Sequence, residues 1–443
     1  MPMEMSAAQS QTQVVKTRPL NMQDYKTLSL AALGGALEFY DFIIYVFFSL
    51  TIGHLFFPHN MPDWLTQVQT FGIFAAGYLA RPFGGIIMAH FGDLFGRKRM
   101  FTFSILMMSV PTLLIGCLPT YDSIGIAAPL LLLLMRVCQG AAVGGEIPGA
   151  WTFVAEHVPT KRVGFACGTL TAGLVVGILI GSIVSTLIHK YVSDENMLIW
   201  GWRLPFLLGG VFGICSMYLR RWLKETPIFA EMQQRKNLDK NVPVVTVLKE
   251  HKHSVVISML LTWVLSAGIM VVILLAPTYL QKVFSVDPVV ALQANSLAII
   301  GVALGCMLFG TLADKFGFAK VLIVGCAYCI VAVGVFYFSL FNHMDYLFIT
   351  YPLAGFGVGV IGCFAFFMVR GFPPTVRFSG LSFSFNMAYA IAGGLTPLMM
   401  SLLTSLVSVK AHPYYVMILF GLGVLIGIYL LDEKKQNISG ELK

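Results

Sequence analysis

The chain has 443 residues, of which 57% are hydrophobic and only 11% are charged, and its formal net charge is +8 at pH 7. A soluble domain carries about 25% charged residues, so this composition excludes an ordinary soluble protein and indicates a polytopic membrane protein. The basic balance does not indicate nucleic-acid binding, because the lysines and arginines are not clustered on one soluble module.

Twelve apolar runs follow a polar segment at 1–27, and each is close to the ~20 residues that a membrane-spanning helix needs. The runs lie at 28–50, 66–91, 100–118, 126–150, 165–188, 203–222, 255–281, 290–312, 319–340, 346–369, 379–405 and 413–431. A long polar connection at 223–254 divides them six and six. The sequence therefore predicts an all-α polytopic membrane protein with six-helix bundles at 28–222 and 255–431 and a tail at 432–443.

The distribution of lysine and arginine predicts the orientation, because these residues accumulate in cytoplasmic loops. With both termini placed in the cytoplasm, 23 of the 29 lysines and arginines lie on the cytoplasmic side, three lie on the opposite side and three lie in or beside spans. We therefore expect both termini to be cytoplasmic. The basic loops also account for the positive net charge without a nucleic-acid partner.

The two halves of the chain resemble each other as a parallel repeat. AHFGDLFGRKR (89–99) follows the second run and GTLADKFGFAK (310–320) follows the eighth, so Asp93 and Gly96 correspond to Asp314 and Gly317. PTKR (159–162) and PTVR (374–377) correspond at nearly the same offset. These matches predict two related bundles around a site near the middle of the membrane.

The repeated loops are candidate gates, with Asp93, Gly96, Arg97, Asp314 and Gly317 as the residues concerned. A carboxylate at the membrane boundary can accept hydrogen bonds from a helix N-terminus and from an arginine, which forms a latch that must break when the gate opens. The alternative is that the basic residues of these loops only anchor the protein on the cytoplasmic side.

Two carboxylates, Glu38 and Asp41, interrupt the first apolar run, where a charge costs roughly 2.5–3.5 kcal/mol on insertion scales. They are three residues apart and so share one face of a helix. Arg81, Arg136 and Glu146 add three further charges in the second and fourth runs. Since intramembrane ionisable residues mark proton and substrate pathways, Asp41, Glu38, Arg136 and Glu146 are predicted to form a proton-coupling cluster.

The alternative for this cluster is a permanent ion-paired network that only packs the bundle. An arginine stays charged at any relevant pH, so Arg136 can exchange carboxylate partners but cannot carry the proton itself. The choice of proton carrier among Asp41, Glu38 and Glu146 stays open.

Several motifs resemble a known family. GDLFGRKR (92–99) and MRVCQGAAVGGE (135–146) are similar to signatures of the major facilitator superfamily. The blocks ALEFYDF (36–42), ARPFGG (80–85), VAEHVPTKRVGF (154–165), GWRLPF (201–206), LKETPIF (223–229) and FNMAYAIAGGLTP (385–397) resemble, in order, those of the metabolite:proton symporters. That family includes permeases for proline, betaine, 2-oxoglutarate and citrate, and the resemblance runs from about residue 20 to residue 431.

The resemblance implies the major facilitator fold and a secondary active transporter of the bacterial inner (plasma) membrane rather than an enzyme. The expected activity is proton-coupled uptake of a small carboxylate-bearing metabolite by alternating access. Substrate, proton and membrane lipid are the expected partners of a monomer, with no cofactor and no metal.

The loop after the second run begins with Ala89 where the family has glycine. Its second copy has Phe318 and Ala319 where basic residues are common, so the first copy should carry more of the gating.

Two other functions of this superfamily fit the sequence less well. A proton-coupled exporter is disfavoured because the fifth run, AGLVVGILIGSIV (172–184), lacks the Gly-Pro pair that is typical of exporters. A facilitator or sensor without coupling is disfavoured because the sugar-porter signatures are missing and because Asp41 and Arg136 fit proton coupling better than passive flow.

Candidate substrate-binding residues occur in both halves. Arg81 and Arg136 can bind a substrate carboxylate, with a purely structural role open for each. The second half offers Trp263, Tyr279, Asn386 and Tyr389 within its apolar runs, and a core or lipid-facing position is equally open for these residues. The sequence does not decide between an osmolyte and a mono-, di- or tricarboxylate.

Overall fold

The structure, a computed structural model, describes residues 19–95, 97–220, 243–373 and 376–432. All regular elements in these ranges are helical, and nine helices among them are long and apolar enough to cross a membrane. The three further spans each border on residues outside the described ranges, namely Gly96 or residue 221. The predicted all-α polytopic fold is confirmed.

The spans follow one another with short connections. The first six are Met22–Phe47, Asp63–Phe95, Arg97–Cys117, Ala127–His157, Thr160–Tyr191 and Leu204–Arg220. The last six are Lys252–Leu274, Pro288–Phe316, Phe318–Asn342, Met344–Arg370, Arg377–Leu406 and Ala411–Tyr429. Short helices lie at Ser49–Phe56, Tyr121–Ile124, Asp194–Ile199, Pro243–Glu250 and Ala276–Phe284.

Neighbouring spans run in opposite directions, so the connections collect at two ends of the molecule. Val158 and Gly317 mark the end that we call the basic end, because the sequence concentrates its lysines and arginines there. Pro58, Val192 and Asp287 mark the opposite end.

The first span begins at Met22, six residues before the start of its apolar run. The Asn21 side chain accepts a hydrogen bond from the Asp24 backbone N–H at 2.9 Å, and the Asp24 carboxylate accepts one from the Asn21 N–H at 2.9 Å. This capping box satisfies two N–H groups that would otherwise lack partners. The helix start is therefore set by the cap rather than by hydrophobicity.

Four spans are interrupted. The fourth is broken at Gly144 and Gly145, the seventh contains a π-helical segment at Gly268–Leu274, the tenth contains a 3₁₀ segment at Gly359–Cys363, and the eleventh contains a π-helical segment at Tyr389–Gly393. Irregular backbone at membrane depth is tolerated where it is buried in protein or lines a cavity, and π-bulges are frequent at functional sites. The interruptions therefore indicate where a site is built.

The spans group into two sets of six. In the first set, span 1 packs on spans 5 and 6, and span 2 packs on span 4. In the second set, span 8 packs on span 10, and span 9 packs on spans 10 and 12. Span 5 meets span 8, and span 2 meets span 11, across the boundary between the sets. The residue bounds assigned to the two bundles stay a proposal, because most of the connection between them lies outside the described ranges.

The contact between spans 5 and 8 depends on glycine. A Cβ atom added to Gly168 would collide with the backbone oxygen of Cys306, and one added to Gly310 would meet the backbone oxygen of Gly164 at 2.5 Å. The two backbones therefore approach each other at distances that no other residue permits. Small residues serve this purpose in membrane helix packing generally.

Prediction: Gly310→Val forces spans 5 and 8 apart and lowers the free energy of unfolding by about 1–3 kcal/mol, the usual cost of overpacking. Thermal unfolding of the purified protein in detergent measures the change. Gly421→Val in the twelfth span is the matched control, because a Cβ at Gly421 meets no atom within 4 Å. Equal melting temperatures for both variants would contradict the close contact.

Candidate functional site

Arg136 is completely buried among aromatic rings of the first two spans. Its guanidinium carbon lies 4.3 Å from the ring centre of Phe42, 4.7 Å from that of Tyr45 and 5.0 Å from that of Phe74. Its Nη1 donates hydrogen bonds to the Phe42 carbonyl oxygen at 3.1 Å and to Gln139 Oε1 at 2.9 Å. Its Nε and Nη2 donate to none of the described residues. An uncompensated buried charge is costly. A carboxylate that bonded to these two nitrogen atoms would compensate the charge of Arg136.

Asp41 lies on the first span beside Phe42 and is 1% exposed. Neither carboxyl oxygen accepts a hydrogen bond within the described part of the chain. The carboxyl group faces Gly209 of the sixth span, where an added Cβ would come within 2.6 Å of Asp41 Oδ1. The structure therefore buries Asp41 and Arg136 on neighbouring spans but does not pair them with each other.

Two residues near Arg136, namely Gln139 and Thr112, were not predicted from the sequence. Gln139 is completely buried and donates from Nε2 to Thr112 Oγ1 at 2.7 Å, while Thr112 donates to the Met108 carbonyl oxygen at 2.9 Å. A polar side chain in an apolar span is expensive unless it is hydrogen-bonded. This cost selects Asn386 from the sequence, and it applies equally to Gln139.

Arg81 is the second fully buried arginine, and its surroundings come from both sets of spans. Its guanidinium carbon lies 4.8 Å from the ring centre of Tyr389, 5.4 Å from that of Tyr78 and 5.5 Å from that of Phe385. Tyr78 belongs to span 2, whereas Phe385 and Tyr389 belong to span 11. The Nε and Nη2 atoms of Arg81 donate to no described residue. We call these three rings the Arg81 cage.

The break in the fourth span lies beside this cage. Glu146 is the first residue of the helical segment after the break, is 8% exposed and attracts the Arg81 charge. Asn386 of span 11 donates from Nδ2 to the Gly144 carbonyl oxygen and to Ser382 Oγ at 3.2 Å. The Asn386 Oδ1 atom accepts no hydrogen bond from a described residue. The predicted residues Arg81, Glu146 and Asn386 therefore come together at the boundary between the two sets.

Tyr78 connects the two arginine sites. Its ring stacks on Tyr389 with centres 5.2 Å apart and meets the edge of Phe42 at 4.9 Å. Phe42 lies on Arg136, and Tyr389 lies on Arg81, so one aromatic chain joins both guanidinium groups. No sequence signal distinguished Tyr78 from the other aromatic residues of the spans.

Two predicted substrate residues lie away from the arginines. Tyr279 donates its hydroxyl to the Val409 carbonyl oxygen at 2.6 Å and packs its ring on His412 at 4.3 Å, near the opposite end. Trp263 is 41% exposed and donates from Nε1 to the Tyr415 hydroxyl at 3.1 Å. The structure thus gathers Tyr389 and Asn386 at the Arg81 cage but not Tyr279 or Trp263.

Asp314 ties the two sets of spans together at the basic end. Its two oxygens accept hydrogen bonds from the backbone N–H groups of Gly164 at 2.7 Å and Phe165 at 2.8 Å, at the start of the fifth span. The carboxylate therefore caps a helix whose positive N-terminal end it also neutralises. Arg370 adds a hydrogen bond to the Thr160 carbonyl oxygen. Gly317 follows with φ = 88°, a conformation that favours glycine.

The remaining predicted residues cannot be placed in the same detail. Gly96 and the side chains of Glu38, Asp93 and Arg97 lie outside the described part of the chain. Their predicted roles in coupling and gating stay predictions.

A cavity of about 250 Å³ lies at the opposite end, between the short helix Ser49–Phe56, the start of the second span and Lys282. Ser49, Thr70 and Asp63 are among its lining residues. The Thr70 carbonyl oxygen accepts a hydrogen bond from the Tyr45 hydroxyl at 2.9 Å, and Tyr45 lies on Arg136. Partial burial lowers the pKa of Lys282, an effect that the nearby Asp63 carboxylate opposes. We call this cavity the vestibule, because it ends one side chain away from the Arg136 site.

The sequence matches the family model of the Major Facilitator Superfamily over residues 31–397. The chain belongs to the major facilitator superfamily. It is therefore a membrane transporter rather than an enzyme, and the predicted family resemblance is confirmed.

Named relatives and solved structures agree with this membership. A proline/betaine transporter of Salmonella typhimurium is 33% identical over 431 residues, which cover 94% of this chain and 85% of that protein. A proline/betaine transporter of Escherichia coli is 31% identical over an alignment of 451 positions, which covers 96% of this chain and 89% of that protein. A solved proton:xylose symporter bound to 6-bromo-6-deoxy-D-glucose has a TM-score of 0.74 at 18% identity, covering 93% of this chain and 96% of that one, and shares the fold.

Prediction: Asp314→Ala loosens the basic end, because Gly164 and Phe165 lose a charged hydrogen-bond acceptor from the other set of spans. Cys167 and Cys306 are buried close to this contact and serve as native reporters. We expect a permeant maleimide to modify them about tenfold faster in the variant, in line with the usual size of coupling free energies. Site-resolved mass spectrometry measures the rates.

Asp287→Ala is the control for this prediction. Asp287 also caps a helix, accepting from the Val289 N–H at 2.8 Å, but this contact lies within the start of the eighth span at the opposite end and joins no two spans. This change should cost helix stability without exposing the two cysteines. Unchanged labelling of Cys167 and Cys306 in Asp314→Ala would show that Asp314 does not hold the basic end closed.

Proposed function

We propose that the chain is a proton-coupled symporter that takes up a small zwitterionic metabolite bearing one carboxylate, of the betaine or proline type. The observation that carries the proposal is Arg81, a fully buried arginine with two unused donors inside a cage of three aromatic rings. The similarity to proline/betaine transporters of Salmonella typhimurium and Escherichia coli supports this substrate class.

The chemistry of the Arg81 cage suits both ends of such a molecule. The free Nε and Nη2 atoms form the fork that binds a carboxylate in a bidentate manner. Aromatic faces attract a quaternary or secondary ammonium group, as in the recognition of choline-like ligands. An ionised Glu146 near Arg81 would favour a cationic group and disfavour a second or third carboxylate on the substrate. A zwitterion therefore fits better than a di- or tricarboxylate.

Asp41 is the proposed proton carrier. Its carboxyl group is buried without a hydrogen-bond donor from a described residue, and burying an unpaired ionised carboxylate is costly. Protonation removes this cost, whereas release of the proton leaves a carboxylate that needs a cation. Arg136, on a neighbouring span, has two unused donors. Loss and gain of one proton can therefore change the contacts between spans 1 and 4.

The arrangement of the two ends supports transport by alternating access. We place the basic end in the cytoplasm and the vestibule outside, in the bacterial inner membrane, with each polypeptide acting as a monomer. Asp314 and Arg370 tie the two sets of spans at the basic end, while the vestibule leads from the other side towards Arg136. Substrate and proton would enter through the vestibule, and rocking of the bundles would break the ties at the basic end.

Prediction: proteoliposomes containing the protein accumulate glycine betaine or proline when a proton gradient is directed inward, and a protonophore abolishes the accumulation. Asp41→Asn removes the titrating group, so gradient-driven accumulation should stop while exchange of labelled for unlabelled substrate continues. Asp287→Asn, at a helix cap outside the proposed site, is the control. Accumulation that persists with the protonophore present would overturn the symport proposal.

Prediction: Arg81→Lys raises the KM for a zwitterion about 10–100-fold, because lysine keeps the charge but lacks the bidentate fork, and a charge-assisted hydrogen bond contributes about 1.5–3 kcal/mol. Uptake kinetics measure the change. Arg203→Lys is the matched control, since Arg203 uses its Nη1 for the Gly116 and Leu118 carbonyl oxygens at 2.9 and 2.7 Å. If both variants change KM equally, Arg81 does not bind the substrate.

A further inference from the structure

Gln139 is a neutral hydrogen-bond partner of Arg136, three residues further along the same helix. Its Oε1 accepts from Arg136 Nη1 at 2.9 Å, and its Nε2 donates to Thr112 Oγ1 at 2.7 Å. The side chain is completely buried. One neutral amide therefore bonds to one guanidinium nitrogen on span 4 and to a hydroxyl oxygen on span 3 at the same time.

The unused atoms around Gln139 are complementary. Asp41 Oδ1 and Oδ2 accept no hydrogen bond, and Arg136 Nε and Nη2 donate none, to any of the residues described. These are two acceptors and two donors, all buried, on adjacent helices. A native structure rarely leaves such groups unpaired, and groups of this kind often have a functional reason.

Asp41 and Thr112 both lie against Gly209 of the sixth span. A Cβ atom added to Gly209 would be 2.6 Å from Asp41 Oδ1 and 2.7 Å from Thr112 Cγ2. The Asp41 carboxyl group and the Thr112 methyl group therefore pack on the same residue. Thr112 is bonded to Gln139, and Gln139 to Arg136, so these hydrogen bonds link the surroundings of Asp41 to Arg136.

We propose, on the basis of the proton-coupled symport above, that Gln139 is a positioning residue that exchanges partners with Asp41. While the Asp41 carboxyl holds its proton, the Gln139 amide binds Arg136 and Thr112. When that proton leaves for water, the carboxylate gains one negative charge and attracts the unused Nε and Nη2 of the Arg136 guanidinium. The guanidinium then moves towards Asp41 and leaves Gln139 Oε1, and spans 1 and 4 change their contacts.

The exchange requires an amide at position 139. An amide is a hydrogen-bond acceptor for Arg136 and a donor for Thr112 without carrying charge, so an ionised Asp41 can outcompete it for the Arg136 guanidinium while the bond to Thr112 remains. A carboxylate at this position would hold Arg136 permanently by a charge-assisted bond. A leucine would remove both of these hydrogen bonds whatever the state of Asp41.

The test compares gradient-driven uptake with exchange at equal pH on both sides, for wild type, Gln139→Glu and Gln139→Leu in proteoliposomes with labelled glycine betaine or proline. We expect Gln139→Glu to keep exchange but to lose the stimulation by an inward proton gradient about tenfold, which is a typical coupling strength. Exchange should also become less dependent on pH, since Arg136 no longer responds to Asp41. Gln139→Leu should lose stimulation as well.

Asn295→Asp controls for the introduction of a buried carboxylate. Asn295 is a completely buried amide in the second set of spans, whose Oδ1 accepts from the Tyr351 hydroxyl at 2.6 Å. This variant should keep the wild-type ratio of gradient-driven uptake to exchange, even where both rates fall. Thermal unfolding of each variant reports whether it is folded.

The outcomes separate the exchange mechanism from the symport proposal. Wild-type stimulation and pH dependence in Gln139→Glu would overturn the role of Gln139 and leave symport intact. A parallel loss of exchange and uptake with a lowered melting temperature would reduce Gln139 to a packing residue. If wild-type uptake itself shows no stimulation by a proton gradient, the symport proposal fails first.

Discussion

The structure depends on two arginines that are buried in the membrane region without a described carboxylate within bonding distance. A guanidinium in a low-dielectric interior needs compensation, and here most of it comes from aromatic faces and carbonyl oxygens. Aromatic rings attract the charge without consuming its N–H donors. Both Arg81 and Arg136 therefore keep two donors unused, which is a state that suits the binding of a mobile anion better than permanent structural pairing.

The aromatic chain through Tyr78 gives these two sites a common framework. Its rings belong to spans 1, 2 and 11, so the surroundings of Arg81 are complete only while the two sets of spans are in contact. The interrupted backbone at Gly144 and at Tyr389–Gly393 lies at the same boundary. Movement of one set against the other would change the Arg81 cage directly, whereas the Arg136 site lies within one set.

Polar residues in apolar runs were the most useful sequence signal for the site. The energetic cost of burying them selected Asp41, Arg81, Arg136 and Asn386, and all four are buried in the structure. The same signal also selected Tyr279, whose hydroxyl is satisfied locally by a carbonyl oxygen. It could not select Phe42, Tyr45, Phe74 and Tyr78, because aromatic residues are ordinary in membrane spans and only packing makes some of them partners of a cation.

The sequence by itself determined the class of the protein, because membrane-spanning helices follow from the length and hydropathy of local segments, and ordered motifs identify the superfamily. Partnerships between helices were decided only by the tertiary structure. The hydrogen bonds of Asp314 with Gly164, of Gln139 with Thr112 and of Asn386 with Gly144 depend on helix register and rotation. Those quantities are set by backbone contact at glycines in distant spans, and no local pattern encodes them.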